Sequence, residues 1–335
     1  MTVYTSTGPS PSGANCGGLH GHVRVSPDGT AYLSNQGCII DSSINDPKGD
    51  QFSKQSVVVS TDNGLHWTVR PIPDSRATFY SDPSVAAGAN NTIYFGYENG
   101  GTDMSGHTVP SAGRGHPMIA VSPDQGVTWS APVDGGVTLT HSDGSTSPLG
   151  IQNTAFPEVI AGDGDRAAFA FLGRTTGGDY QASNFSGSWD LYVAITINGG
   201  ASWTTVDATP NNPVQRGCVW LQGGSSPCRN MLDFNDITVD KNGRVLVAYT
   251  KGCTGTCLMP NGAITHSALP CIARQTDGPS LFAVNAVAAP RRGRCRLLGW
   301  WASVPRSCHS GGEGDLEEER IDAKGPDQDC ETNGG

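Results

Sequence analysis

Three acids in this chain stand where chemistry could converge: Asp82, Glu158 and Asp236. Each opens a short β-rich run, in SDPSVAAGANNTIYFGY, FPEVIAGDGDRAAFAFLG and FNDITVDKNGRVLVAY respectively. Carboxyls gathered in one place raise one another's pKa, so one can hold a proton as acid while another stays charged. A fourth run, HGHVRVSPDGTAYL, begins with His20-x-His22. Alternate residues of a strand share a face, so both imidazoles point the same way, as a metal pair would require. Cysteine is the other reactive type, with 10 in the chain. Cys218 and Cys228 enclose the loop VWLQGGSSP, short enough to bring their Cα atoms within disulfide reach. Cys253, Cys257, His266 and Cys271 could hold zinc, but their spacings fit no standard zinc module. Loop disulfides in an exported protein are the preferred reading. No metal and no cofactor is assigned.

The elements that must position these residues announce themselves as a repeat. STDNGLHW (60–67), SPDQGVTW (122–129) and TINGGASW (196–203) place a hydroxyl, an acid or amide, a glycine and a tryptophan at equal offsets. The matching positions are Ser60, Asp62, Gly64, Trp67; Ser122, Asp124, Gly126, Trp129; and Thr196, Asn198, Gly200, Trp203. This is turn chemistry: the carboxylate or amide accepts backbone N–H bonds, glycine takes φ > 0, and tryptophan packs back on the sheet. The four runs of the first paragraph read as hairpins around PDG, GANN, GDGD and DKNG. Asp62, Asp124 and Asn198 each fall 39 residues after Val23, Val85 and Val159. A fourth unit keeps only the faded box Gln275-Thr276-Asp277-Gly278. Each unit is therefore four antiparallel strands, and radially repeated four-stranded units make an all-β propeller. Blades are expected near 16–70, 71–130, 131–204 and 205–289, after an extension over 1–15.

Strand parity then locates the functional face. The hairpin turns and the boxes are short and lie on one side. The other connections (37–54, 99–114, 175–188, 131–153 and 205–231) are long and lie on the opposite side, where binding usually occurs. The box acids are thereby read as turn formers, not catalysts. His20, His22, Asp82, Glu158 and Asp236, at the starts of the inner strands, point into the mouth on the long-loop face.

The boxes resemble the Asp-box, or BNR, repeats of the sialidase-like β-propellers, over about residues 16–289. That resemblance implies six blades in the parent and about four here. It also implies a glycoside hydrolase of sialidase type, with a tyrosine nucleophile activated by a glutamate, an aspartic acid as proton donor, and an arginine clamp on the substrate carboxylate. Carried onto this chain, Glu158 takes the glutamate role and Asp82 the acid, with Tyr97 and Tyr249 as candidate nucleophiles. Arg76, Arg174 and Arg216 are the candidate clamp, and His20 and His22 further substrate contacts. The Phe/Tyr-Arg-Ile-Pro motif of sialidases is not present; Arg70-Pro71-Ile72-Pro73 only echoes it.

Composition bounds the partners. Gly 45 and Pro 22 in 335 residues demand frequent turns, and 16% charged residues exclude a long helical bundle. A net charge of −10 is a poor match to nucleic acid or an anionic membrane. No apolar run approaches a spanning helix. The first fifteen residues lack the apolar centre of a signal peptide, so an exported protein would have lost its leader or be numbered from within a longer gene. Residues 290–335 show no strand alternation and read as an irregular or out-of-frame tail. Two function classes follow: an exported hydrolase acting on terminal sugars of glycoconjugates, or a non-catalytic module binding glycan or protein.

Overall fold

The computed structural model describes residues 22–41, 52–75, 82–99, 115–221, 224–231, 235–254 and 268–283. His20, Arg76, the 1–15 extension and the 290–335 tail lie outside these. Among the described residues there is no α-helix, and none long and apolar enough to cross a membrane.

The chain runs as successive antiparallel meanders. The first sheet is β1 (Val23–Val25), β2 (Ala31–Asp41), β3 (Phe52–Ser60) and β4 (Thr68–Pro71), in that spatial order. The second is β5 (Ser84–Ala87), β6 (Ile93–Asn99), β7 (His116–Ser122) and β8 (Val133–Asp134). A small hairpin of β9 (Thr138–Thr140) and β10 (Thr146–Pro148) follows, within the long 131–153 connection. The third sheet is β11 (Asn153–Ala161), β12 (Ala167–Arg174), β13 (Ser188–Thr196) and β14 (Thr204–Asp207), with β15 (Gln215–Arg216) on the far part of β13. The fourth keeps three strands: β16 (Asp236–Val239), β17 (Val245–Lys251) and β18 (Leu269–Arg274). These are blades of a β-propeller, first strands innermost: β11 packs against β5 and β16, and β1 against β5.

Each seam between blades has its own core. Tyr32, Val57, Ile72, Val85, Phe95 and Tyr97 fill the first; Tyr94, Ile119, Val159, Phe169 and Phe171 the second; Ala168, Ala170, Leu172, Trp189, Ile237 and Val247 the third. The run AAFAFLGR of β12 is buried throughout because its two faces serve two seams, so the usual polar alternation is lost. Large side chains on one face are matched by space opposite. Gly96 lies so close to Phe169 that a Cβ would stand 2.5 Å from that ring.

The three boxes have one geometry. In each, the hydroxyl accepts from the glycine N–H four residues on: Gly64 to Ser60 at 2.9 Å, Gly126 to Ser122 at 2.7 Å, Gly200 to Thr196 at 3.0 Å. The second side chain accepts from the N–H of His66, Thr128 or Ser202 at 2.7–3.0 Å. The glycines sit at φ 81°, 87° and 86°, the left-handed region closed to most side chains. Hydrogen bonds pull Asp62 down to about 2 and hold Asp124 below its usual range, so both stay charged as backbone acceptors. Trp129 and Trp203 meet Phe95 and Tyr94 edge-on at 6.2 and 6.3 Å. The boxes also seal seams, since Gly126 closes on Val57 and Gly200 on Val121 of the preceding blade.

Cys218 and Cys228 form a disulfide with Cα atoms 5.4 Å apart. Cys253 and Cys271 are also disulfide-bonded, which removes them as zinc thiolates.

Candidate functional site

Three blades deliver side chains to one point beside their first strands. His22 comes from the residue before β1, Glu158 from within β11, and Asp236 from the first position of β16. One donor atom from each lies within 4.8 Å of the other two. Glu158 is buried at 7% exposure, whereas His22 and Asp236 are open to solvent.

The local sequence explains why the glutamate is held there. β11 and β12 pair evenly from Asn153 to Ala155, then slip, so that Glu158 stands opposite Ala170. The slip falls on Phe156-Pro157. Proline cannot donate to the ladder and is at home in a bulge, and Phe156 takes φ 52°, an outlying conformation for an aromatic residue. A bulge re-aims the side chains after it; here the first of them is Glu158. Ser84 of the preceding blade then fixes the carboxylate. Its Oγ donates to Glu158 Oε2 at 2.8 Å and accepts from the Val159 N–H at 3.1 Å.

Burial pushes Glu158 up to about 7; the Ser84 hydrogen bond opposes this, the charge of Asp236 adds to it, Arg24 opposes it and Asp82 adds to it. Asp82 and Arg24 are thus within electrostatic reach of the glutamate. Neither Arg24 nor Ser84 is among the residues expected from the sequence. Arg24 shares a strand face with His22, two residues on, and its Nε is buried with no hydrogen-bond partner. Strand parity alone could have found it, since the same argument selected His22.

Other sequence candidates lie elsewhere, and three need correction. Tyr97 and Tyr249 are 0% and 4% exposed, packed in the first and third seams. Burial raises the pKa of both hydroxyls, Tyr97 far above the usual range, the wrong direction for a nucleophile. Both lie towards the ends of second strands, β6 and β17, where their side chains are covered. Arg174 is 2% exposed, with its guanidinium 3.9 Å above the Phe185 ring and donating to the Ser186 carbonyl. It is a core cation stacked on aromatics, and desolvation lowers it to about 10. Arg216 is exposed on β15, within electrostatic reach of Asp190.

No protein-family model and no curated protein matches the chain. Among solved structures it is similar to a Hadza microbial sialidase, Hz136, at 13% identity and TM-score 0.43, over 77% of this chain and 46% of that one. It is similar at 12% identity and TM-score 0.42 to a Penicillium chrysogenum alpha-L-arabinanase complexed with arabinobiose, over 84% and 69%. An ulvan lyase of polysaccharide lyase family PL25 aligns at 13% identity and TM-score 0.44, over 76% and 55%. The chain thus spans about half the length of the sialidase. Likeness at these scores does not reach to activity.

Proposed function

We propose that this chain carries the axial mouth of an exported glycoside hydrolase of sialidase-like ancestry, acting on terminal sugars of glycoconjugates. The observation that carries the reading is the meeting of Glu158 and Asp236 from separate blades, with a carboxylate oxygen of each within 4.8 Å of the other. Glycosidic cleavage needs two carboxyls, one to protonate the leaving oxygen and one to attack or to activate water. The close approach suits direct attack at the anomeric carbon, for which the two carboxyls stand about 5–5.5 Å apart. With both candidate tyrosines in the core, a carboxylate replaces the tyrosine nucleophile that the sialidase resemblance implied. Asp82 adds a third acid, and Arg24 supplies positive charge for an anionic group on the sugar.

A second reading, a glycan- or protein-binding propeller without catalysis, draws support from the same buried tyrosines and from Arg174, whose burial removes one arm of the expected clamp. Release of a fluorophore from aryl sialosides and neutral aryl glycosides separates the two. Turnover on any of them supports the hydrolase. Glycan binding with turnover on none rejects it in favour of the binder.

A further inference from the structure

We propose that His22, Glu158 and Asp236 hold a divalent cation of the zinc class at the propeller axis, tying the first, third and fourth blades together. The pair His20-x-His22 by itself assigns no metal. What changes this is convergence from distant parts of the chain. An imidazole and two carboxylates, separated by 136 and 78 residues in sequence, present donor atoms within 4.8 Å of one another.

Tetrahedral ligands about 2.1 Å from zinc stand roughly 3.4 Å apart. Closing the observed spacing to that value requires side-chain rotation of the two exposed members, His22 and Asp236 (whose Oδ1 now accepts from the Ile237 N–H), onto the glutamate that Ser84 anchors. The donor set selects the ion. Calcium and magnesium take oxygen ligands almost exclusively, whereas one imidazole with two carboxylates suits zinc and its neighbours. Three protein ligands leave a fourth position open, the arrangement of catalytic rather than structural zinc. That position faces the mouth and would receive water or a sugar hydroxyl.

Charge favours occupancy as well. The carboxyls of Asp236 and Asp82 both act on Glu158, and Arg24 is the cation opposing them there. A dication bound among these carboxyls offsets that crowding. Two of the blades joined, the first and the fourth, are the less supported ones. The fourth sheet keeps three strands, and Val23 and Val25 of β1 are 54% and 63% exposed.

The inference uses the same mouth as the hydrolase reading but stands without it, because the test reads metal and not turnover. A cation bound there would occupy both Glu158 and Asp236, so cation binding and the two-carboxyl cleavage above compete for the same side chains. The probe is Co2+, whose visible bands report coordination geometry and whose near-ultraviolet charge-transfer band reports thiolate ligands. One equivalent should bind per chain with visible bands, no thiolate band, and displacement by Zn2+. His22→Gln and Asp236→Asn, both at exposed positions, should each weaken binding by roughly tenfold or more, while His66→Gln at a box changes nothing. An unaltered circular dichroism spectrum shows that the variants fold. No binding, binding through thiolate, or binding indifferent to His22 and Asp236 would each overturn the proposal. Co2+ binding without glycoside turnover keeps the cation site and rejects the hydrolase; turnover without Co2+ binding does the reverse.

Discussion

Gly200 of the third box closes on Val121 of the second blade so tightly that a Cβ there would lie 2.6 Å from Val121 Cγ2. The box is thus a seam as much as a turn. Its glycine is required twice, once for φ 86° and once for the approach of the neighbouring strand.

The boxes differ in this respect, which makes the point measurable. Gly64 also has positive φ, yet a Cβ there meets only Trp67, at 3.7 Å. Gly64→Ala should cost about 1–3 kcal/mol for the left-handed conformation alone. Gly200→Ala should cost more, because it adds the clash with Val121. Chemical denaturation of the two variants tests the order, and equal losses would deny the seam role.

Asp190 and Asp207 lie near each other on the outer strands β13 and β14. Burial pushes Asp190 up to about 6, and the charge of Asp207 adds to it; the Thr209 hydrogen bond and Arg216 oppose it. The unfolded side chain titrates near about 4. Between these values the folded state binds more protons, so this group's contribution to stability falls as pH rises through the window. Asp190→Asn should therefore raise the melting temperature at pH 7, with the gain shrinking to nothing below about pH 4. A gain independent of pH would point to a cause other than charge.

The Tyr97 hydroxyl is buried with no hydrogen-bond partner. Removing a buried polar group that has none is neutral or stabilising. Tyr97→Phe should leave thermal stability unchanged or higher and leave glycoside turnover intact. Lost turnover with normal folding would restore the tyrosine as a nucleophile.

The Cys218–Cys228 disulfide closes a short loop whose Cys228 carbonyl accepts from the Trp220 N–H at 2.9 Å. Replacing both cysteines by alanine should cost about 2–4 kcal/mol, read from denaturant melts of the unreduced proteins. A loss confined to this pair, with the mouth still able to bind Co2+, would mark the bridge as local.

Much of the scaffold was legible because its signals are local. Ser60-Thr61-Asp62-Asn63-Gly64 dictates its own turn, and the 39-residue phase repeats it. The choice of Glu158, Asp82, Asp236 and His22 followed from strand parity, which needs no knowledge of packing. What escaped depends on neighbours. The bulge at Phe156-Pro157 is a register slip between strands, and Ser84 reaches Glu158 across 74 residues. Tyr97, Tyr249 and Arg174 looked available because their runs end near long loops, but covering both faces of a second strand is a property of adjacent blades. Proline after phenylalanine, just before a glutamate in a β-rich run, was the one written hint of the bulge.

The account rests most heavily on Glu158 as the centre of a working glycoside-cleaving mouth. Its most direct test is fluorophore release from aryl sialosides and neutral aryl glycosides by the wild type, Glu158→Gln and the box variant Asp124→Asn. Glu158→Gln should lose turnover by about 100-fold or more with its circular dichroism unchanged, while Asp124→Asn loses thermal stability and keeps its rate. Wild-type turnover that survives Glu158→Gln undiminished would contradict the account.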